Sequence, residues 1–161
     1  MHIWTLEKWL KHIDFDNPDH RTGARLKFDQ NVDPEVKRAC KDFLKWLRTE
    51  YFFPIRVPIY IKAIETITAS NGEAVSATIL LPYDHNVEPY IRVSAGDYYE
   101  LKEKRGKDNA LAAILQSISH ELTHYFQWIN DLNLTDRGAE RQAKIYAEYI
   151  IDEYAQTRKH P

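Results

Sequence analysis

Apolar positions recur with a helical period at both ends of the chain and with a strand-like character in the middle. Leu6, Trp9, Leu10 and Ile13 fall at i, i+3, i+4 and i+7 behind Thr5, which predicts a short capped amphipathic helix. Residues 14–30 are polar and contain Asn17-Pro18 and Gly23, which predicts a loop. Asp33-Pro34 then reads as an N-cap followed by proline in the first helical position. Val36, Cys40, Phe43, Leu44, Leu47 and Tyr51 carry an apolar stripe through that second helix until Pro54. Residues 55–64, 74–81 and 89–96 are rich in Val, Ile, Thr and Tyr and predict strands. Asn71-Gly72 marks a turn between the first two, and Pro82 to Pro89 a loop before the third. Pro58 places the first strand at a sheet edge or delays its start. Residues 97–106 predict a short helix or turn. Asp108 caps a long helix to about Asn130, and a last helix runs from about Asp136 to Gln156.

This order predicts an α+β fold in a single domain over residues 1–161: an N-terminal helical layer (1–53) and a core (54–161). The core holds about three short strands, antiparallel or mixed because no helices separate them, packed on the long helix. Trp4, Trp9 and Phe15 are expected to pack on the sheet in preference to covering it as a lid.

The long helix has two chemically different faces. Leu111, Ile114, Leu115, Ile118, Leu122, Tyr125, Phe126 and Ile129 lie within about 60° of one direction. His120 and His124 point about 180° and 220° away from it, among Ala113, Ser117 and Gln127, with Glu121 at the flank. Both histidines therefore lie outside the core stripe. They form His120-Glu121-x-x-His124, a pattern that chance yields in about 2% of chains of this composition. Residues four apart stack on one helical face, so two imidazoles can reach one metal ion, and neutral imidazole suits Zn²⁺. Glu121, one residue on, reaches a water beside the ion and can act as general base.

Composition removes several other chemistries. The formal charge of −2 gives no basic field for nucleic acid. No stretch is long and apolar enough for a membrane span, and charges interrupt the first residues too often for a signal peptide. Cys40 is the only cysteine, so neither a disulfide nor a cysteine-based zinc site can form, and it lies on a helical core stripe. A cytoplasmic protein is expected.

A catalytic zinc site needs a third protein ligand. The residue six after His124 is Asn130, not the histidine of a metzincin, and His160 lies near the tail. Carboxylates remain: Asp131, Asp136, Glu140, Glu148 and Asp152. In the last helix Ala139, Ala143, Tyr146, Ala147, Ile150 and Tyr154 form the stripe, with Glu140 at its edge. A carboxylate facing the core is costly unless paired or metal-bound, and the small Ala143 and Ala147 allow close helix approach. Glu148 shares a face with Arg141, Lys144 and Asp152 and reads more naturally as a solvated residue, which leaves it the weaker alternative.

H-E-L-T-H at 120–124, followed by E-R-Q-A-K-I-Y-A-E-Y-I-I at 140–151, resembles the compact metallopeptidases of the ImmA/IrrE type, and more broadly the gluzincins. The resemblance implies a minimal zincin-like fold, one zinc per chain on His120, His124 and Glu140, and a protein or peptide substrate, in those relatives a transcriptional repressor. Lys144 stands where that family often carries asparagine, and the His124–Glu140 spacing is shorter than usual there. The expected activity is zinc-dependent peptide hydrolysis with Glu121 as general base. Its alternative is a catalytically weak zinc-binding regulatory or interaction module. Tyr146, Tyr149, His85 and His20 are candidates for stabilising an oxyanion. The substrate is expected to lie extended along a sheet edge.

Overall fold

The computed structural model describes residues 1–161. Its elements are β1 (Ala24–Phe28), α1 (Pro34–Glu50), β2 (Val57–Lys62), β3 (Ile67–Thr68), β4 (Ala74–Val75), β5 (Ala77–Leu80), β6 (Tyr90–Ser94), α2 (Tyr98–Arg105), α3 (Lys107–Ile129) and α4 (Asp136–Ala155). The class is α+β, with a four-stranded mixed sheet in the order β1-β2-β6-β5 and a separate β3-β4 hairpin.

Two of the three ladders in the main sheet are parallel, so of the antiparallel or mixed sheet of about three strands that the sequence predicts, the mixed form is found, with four strands. The added strand is β1, inside residues 14–30 that read as a loop, so residues 1–53 are not purely helical. Ala24, Leu26 and Phe28 alternate with Arg25 and Lys27, and the strand pairs parallel with β2 through Leu26↔Ile59. Helix α1 makes the return that a parallel pair requires. The Asn71-Gly72 turn does form, with Gly72 at φ 86, but it closes the small β3-β4 hairpin. Strand β5 pairs antiparallel with β6 instead of with β2. Pro58 sits in an inner strand, one residue before the β2–β6 ladder opens at Ile59↔Ile91, so its missing N–H interrupts nothing.

One sheet face is packed and the other is polar. Val57, Ile59, Ile61, Ile91 and Val93 are fully buried, while Arg25, Lys27, Tyr60 and Arg92 alternate with them and stay accessible. The helices cover the apolar face: α1 against β1, α3 against β5 and β6, and α4 along α3. All eight residues of the predicted α3 stripe are buried. Tyr125 fastens α3 to the start of β2, its hydroxyl accepting from Ile55 N–H at 2.9 Å and donating to Ile55 C=O. On α1, Asp33 accepts from Glu35 N–H as the N-cap, and Cys40 is fully buried, which pushes its thiol up to about 12.

The first helix expected from the pattern is instead two short 3₁₀ turns, Ile3–Thr5 and Lys8–Lys11. Of its predicted stripe only Trp9 is buried, and Leu10 is exposed. The segment is anchored by Trp4, which stacks on Phe126 at 4.9 Å and donates Nε1–H to Thr123 Oγ1 at 3.1 Å. Trp4 and Trp9 pack as expected, whereas Phe15 is half exposed.

Candidate metal centre and active site

Thr135 caps α4 by accepting from Gly138 N–H at 3.0 Å, and fully buried Ala143 and near-fully buried Ala147 let this helix lie close against α3. That packing brings Glu140 over the two histidines. Its Oε2 lies 3.1 Å from His120 Nε2 and its Oε1 2.9 Å from His124 Nε2. One donor atom from each residue falls within 4.8 Å of the other two. The imidazole planes meet at 72°, so their lone pairs converge instead of running parallel.

Glu140 is not inserted into the core as its place beside the stripe suggested. Its side chain is 64% exposed, because it lies at the rim one turn before Ala143 closes the helix contact. Glu148 is exposed and belongs to no cluster of metal-type donors.

Gln127, read from sequence only as a polar neighbour, orients His124. Its Nε2 donates to Ala139 C=O at 3.0 Å and to Gln142 Oε1 at 2.9 Å, which fixes the amide so that Oε1 faces the ring. His124 Nδ1 therefore carries the proton it donates to Gln127 Oε1 at 2.8 Å, and Nε2 keeps its lone pair free. The i+3 spacing from His124 was the signal available in sequence.

Burial lowers the pKa of His120, with His124 adding to the effect and Glu140 opposing it, so the ring is held in its neutral, ligating form. Glu121 is 8% exposed. Burial, then the nearby Glu140 carboxylate, pushes its pKa up to about 8.

Two grooves flank this cluster. One, of about 450 Å³, runs past His124 and Glu140 between Leu81, Trp128, Leu132 and Leu134. The other, of about 310 Å³, holds His120 and Glu121 with Ser76, Ala77, Ser117 and Lys144. Strand β5 is an edge of the sheet: its Ala77 lines the second groove, and Leu81, one residue past its end, lines the first. Ser94 N–H donates to Ser76 C=O at 2.8 Å, so alternation along the antiparallel ladder turns the N–H and C=O groups of Ala77 and Ile79 outward. The largest depression, about 690 Å³, lies elsewhere among Glu35, Arg38, Arg105 and Lys107 and has no hydrophobic lining. Its charges pair with one another, as in Lys107–Glu35 at 3.0 Å.

None of the four oxyanion candidates lines either groove. Tyr146 OH accepts from Ile3 N–H and donates to Met1 C=O. Tyr149 packs edge-on against His2. His20 contacts Pro54 C=O through Nε2. His85 lies in a second convergence of donors, with His12 and Asp131. There the two imidazoles stack at 4.4 Å with planes 12° apart, in contrast to the 72° between His120 and His124. With Lys11 also 3.3 Å from Asp131, this group is a hydrogen-bonded clasp on the N-terminal segment.

No helix is long and apolar enough to cross a membrane. No protein-family model, curated protein or solved structure matches the chain.

Proposed function

We propose that the protein is a zinc-dependent peptidase of the gluzincin type on a minimal zincin-like fold. The observation that carries this reading is the convergence of His120 Nε2, His124 Nε2 and both Glu140 oxygens beside buried Glu121. The donor set fits zinc: two neutral imidazoles and one carboxylate, with room on the groove side for a fourth ligand. When bound there, zinc would acidify a water and polarise the scissile carbonyl.

The remaining chemistry belongs to the chain. Desolvation dominates the upward shift of Glu121, so its ionised form, which a cation held beside it would favour, is a stronger proton acceptor than a free carboxylate. It takes the proton of the attacking water and delivers it to the leaving amine. Gln127 holds His124 in the ligating tautomer. The outward N–H and C=O of Ala77 and Ile79 hold an extended peptide as an added strand across both grooves.

The test is zinc content together with turnover of a mixed peptide pool. Wild type should hold one zinc and cleave; Glu140→Ala should lose the metal; Glu121→Gln should keep the metal and lose turnover. Zinc without cleavage in the wild type would instead favour a binding module, and cleavage by Glu121→Gln would remove Glu121 from the mechanism.

A further inference from the structure

We infer that Lys144 selects an acidic side chain in the substrate residue that follows the scissile bond. This rests on the peptidase reading above and adds a substrate class to it.

The groove beside His120 and Glu121 has an unusual lining for its size. Its only hydrophobic members are Ala77, Ala113 and Ala147, and the rest are Ser76, Gln116, Ser117, the two site residues and Lys144. No large apolar side chain is present to pack a bulky hydrophobic residue. Lys144 is the one cation on this wall. Glu140 and Glu148 lie four residues to either side of it on α4, yet every salt bridge Glu140 makes is to a histidine, and neither carboxylate pairs with Lys144. Its ammonium is therefore available to a ligand. The carboxylates and ring facing it are Glu121 and His120 from α3 and Glu140 and Glu148 from its own helix. Glu140 is engaged by the histidines and Glu121 is reserved for the water.

Strand direction decides which side of the cleaved bond enters this groove. β5 runs from Ala77, in the Lys144 groove, toward Leu81, in the groove of His124 and Trp128. Ala77 and Ile79 each present N–H and C=O outward, and a peptide running either way can pair with them; the antiparallel direction gives the more stable ladder per residue. A peptide added antiparallel has its N-terminal half along Leu81, Trp128 and Leu132 and its C-terminal half beside Ala77. The residue after the scissile bond then lies under Lys144. Lys144 is exposed, and an exposed ion pair is worth up to about fivefold in selection.

The experiment is cleavage-site mapping by mass spectrometry on a proteome-derived peptide pool, for wild type, Lys144→Met and Lys144→Glu. In parallel, Glu121→Gln protein is assayed for binding of paired peptides that differ only in Glu or Lys at one position. Wild type should favour Asp and Glu after the cut about two- to fivefold, Lys144→Met should lose that bias, and Lys144→Glu should turn it toward Lys and Arg. Cleavage without an acidic bias, a bias that survives in Lys144→Glu, or a bias confined to the residue before the cut would each overturn the inference and leave the peptidase reading intact. If no peptide is cut, the peptidase reading falls and the assignment to a residue after a scissile bond falls with it, while a Glu-over-Lys binding preference abolished by Lys144→Glu would still place recognition of an acidic side chain at Lys144. Equal binding of both peptides in that case would overturn the two together.

Discussion

Replacing Gln127 by methionine keeps the length and bulk of the side chain and removes every polar contact it makes. Three are lost: the bond accepted from His124 at 2.8 Å and the two donated to Ala139 C=O at 3.0 Å and Gln142 Oε1 at 2.9 Å. At a net value of about 1 kcal/mol each, folding stability should fall by about 1–3 kcal/mol. Zinc affinity should fall separately, because a ring that no longer has its Nδ1–H fixed samples the wrong tautomer and orientation. Loss of such an orienting partner weakens metal binding by about 10–100-fold, or about 1.4–2.7 kcal/mol. Gln127→Glu separates the two effects. Its carboxylate accepts from Nδ1–H more strongly, but it cannot donate to Ala139 or Gln142. Zinc affinity should return to the wild-type level or above it while stability stays low. The assay is competition with a chromophoric chelator at neutral pH, paired with urea unfolding of the metal-free proteins. A folded Gln127→Met protein that holds zinc as tightly as wild type would refute the reasoning.

Other positions make independent predictions. Trp4 is 2% exposed, so Trp4→Ala should cost about 3–5 kcal/mol in urea unfolding, and Trp4→Phe, which loses chiefly the bond to Thr123, about 1 kcal/mol. A Cβ at Gly96 would lie 2.4 Å from the Ile64 carbonyl carbon, so Gly96→Ala should destabilise by about 3 kcal/mol or prevent folding, read by the same unfolding midpoint. The Asp29 carboxylate is held below its usual range by Ala63 N–H, with Lys62 assisting against a smaller desolvation effect. A depressed folded pKa stabilises above the unfolded value of about 3.9 and is lost as pH falls through the folded value. The stability gap between wild type and Asp29→Asn should therefore be full at neutral pH and close at strongly acidic pH; a gap that does not change with pH would remove Asp29 as its source.

The elements readable in sequence are those whose burial follows one period for many residues. Helix α3 shows this best, because its core contacts come from a continuous stripe from Leu111 to Ile129 and its histidines sit plainly off it. The stripe points to Glu140 through the small Ala143 and Ala147 that pack beneath it, and not through burial of its own side chain, which stays exposed. Strand β1 was hidden because three alternating apolar residues stand inside a polar run and gain their meaning only from pairing with β2. The N-terminal turns misled in the opposite way: Leu6, Trp9, Leu10 and Ile13 have helical spacing, but Ile3 and Trp4 are what enter the core. Which strand is an edge depends on sheet order, and that order is set by long-range pairing that no local pattern records. The His12–His85–Asp131 clasp was invisible for the same reason, its members lying on three separate turns.

The anchoring of residues 1–5 has a consequence for the order of assembly. Trp4 bonds to Thr123, inside the His120–His124 motif, and Ile3 bonds to Tyr146, which is 143 residues away along the chain. Closing a loop of that span has a high entropic cost, and these two bonds gain nothing until α3 and α4 are already packed, whereas the contacts of Trp4 with Tyr51 and of Trp9 with Phe52 can form earlier. During synthesis Ile3 and Trp4 must therefore wait for their hydrogen-bond partners until residues 123 and 146 have left the ribosome. The support behind the motif is thus completed late in folding, and a slow, concentration-independent final phase should report on Trp4 fluorescence after the helical signal has already reached its native value.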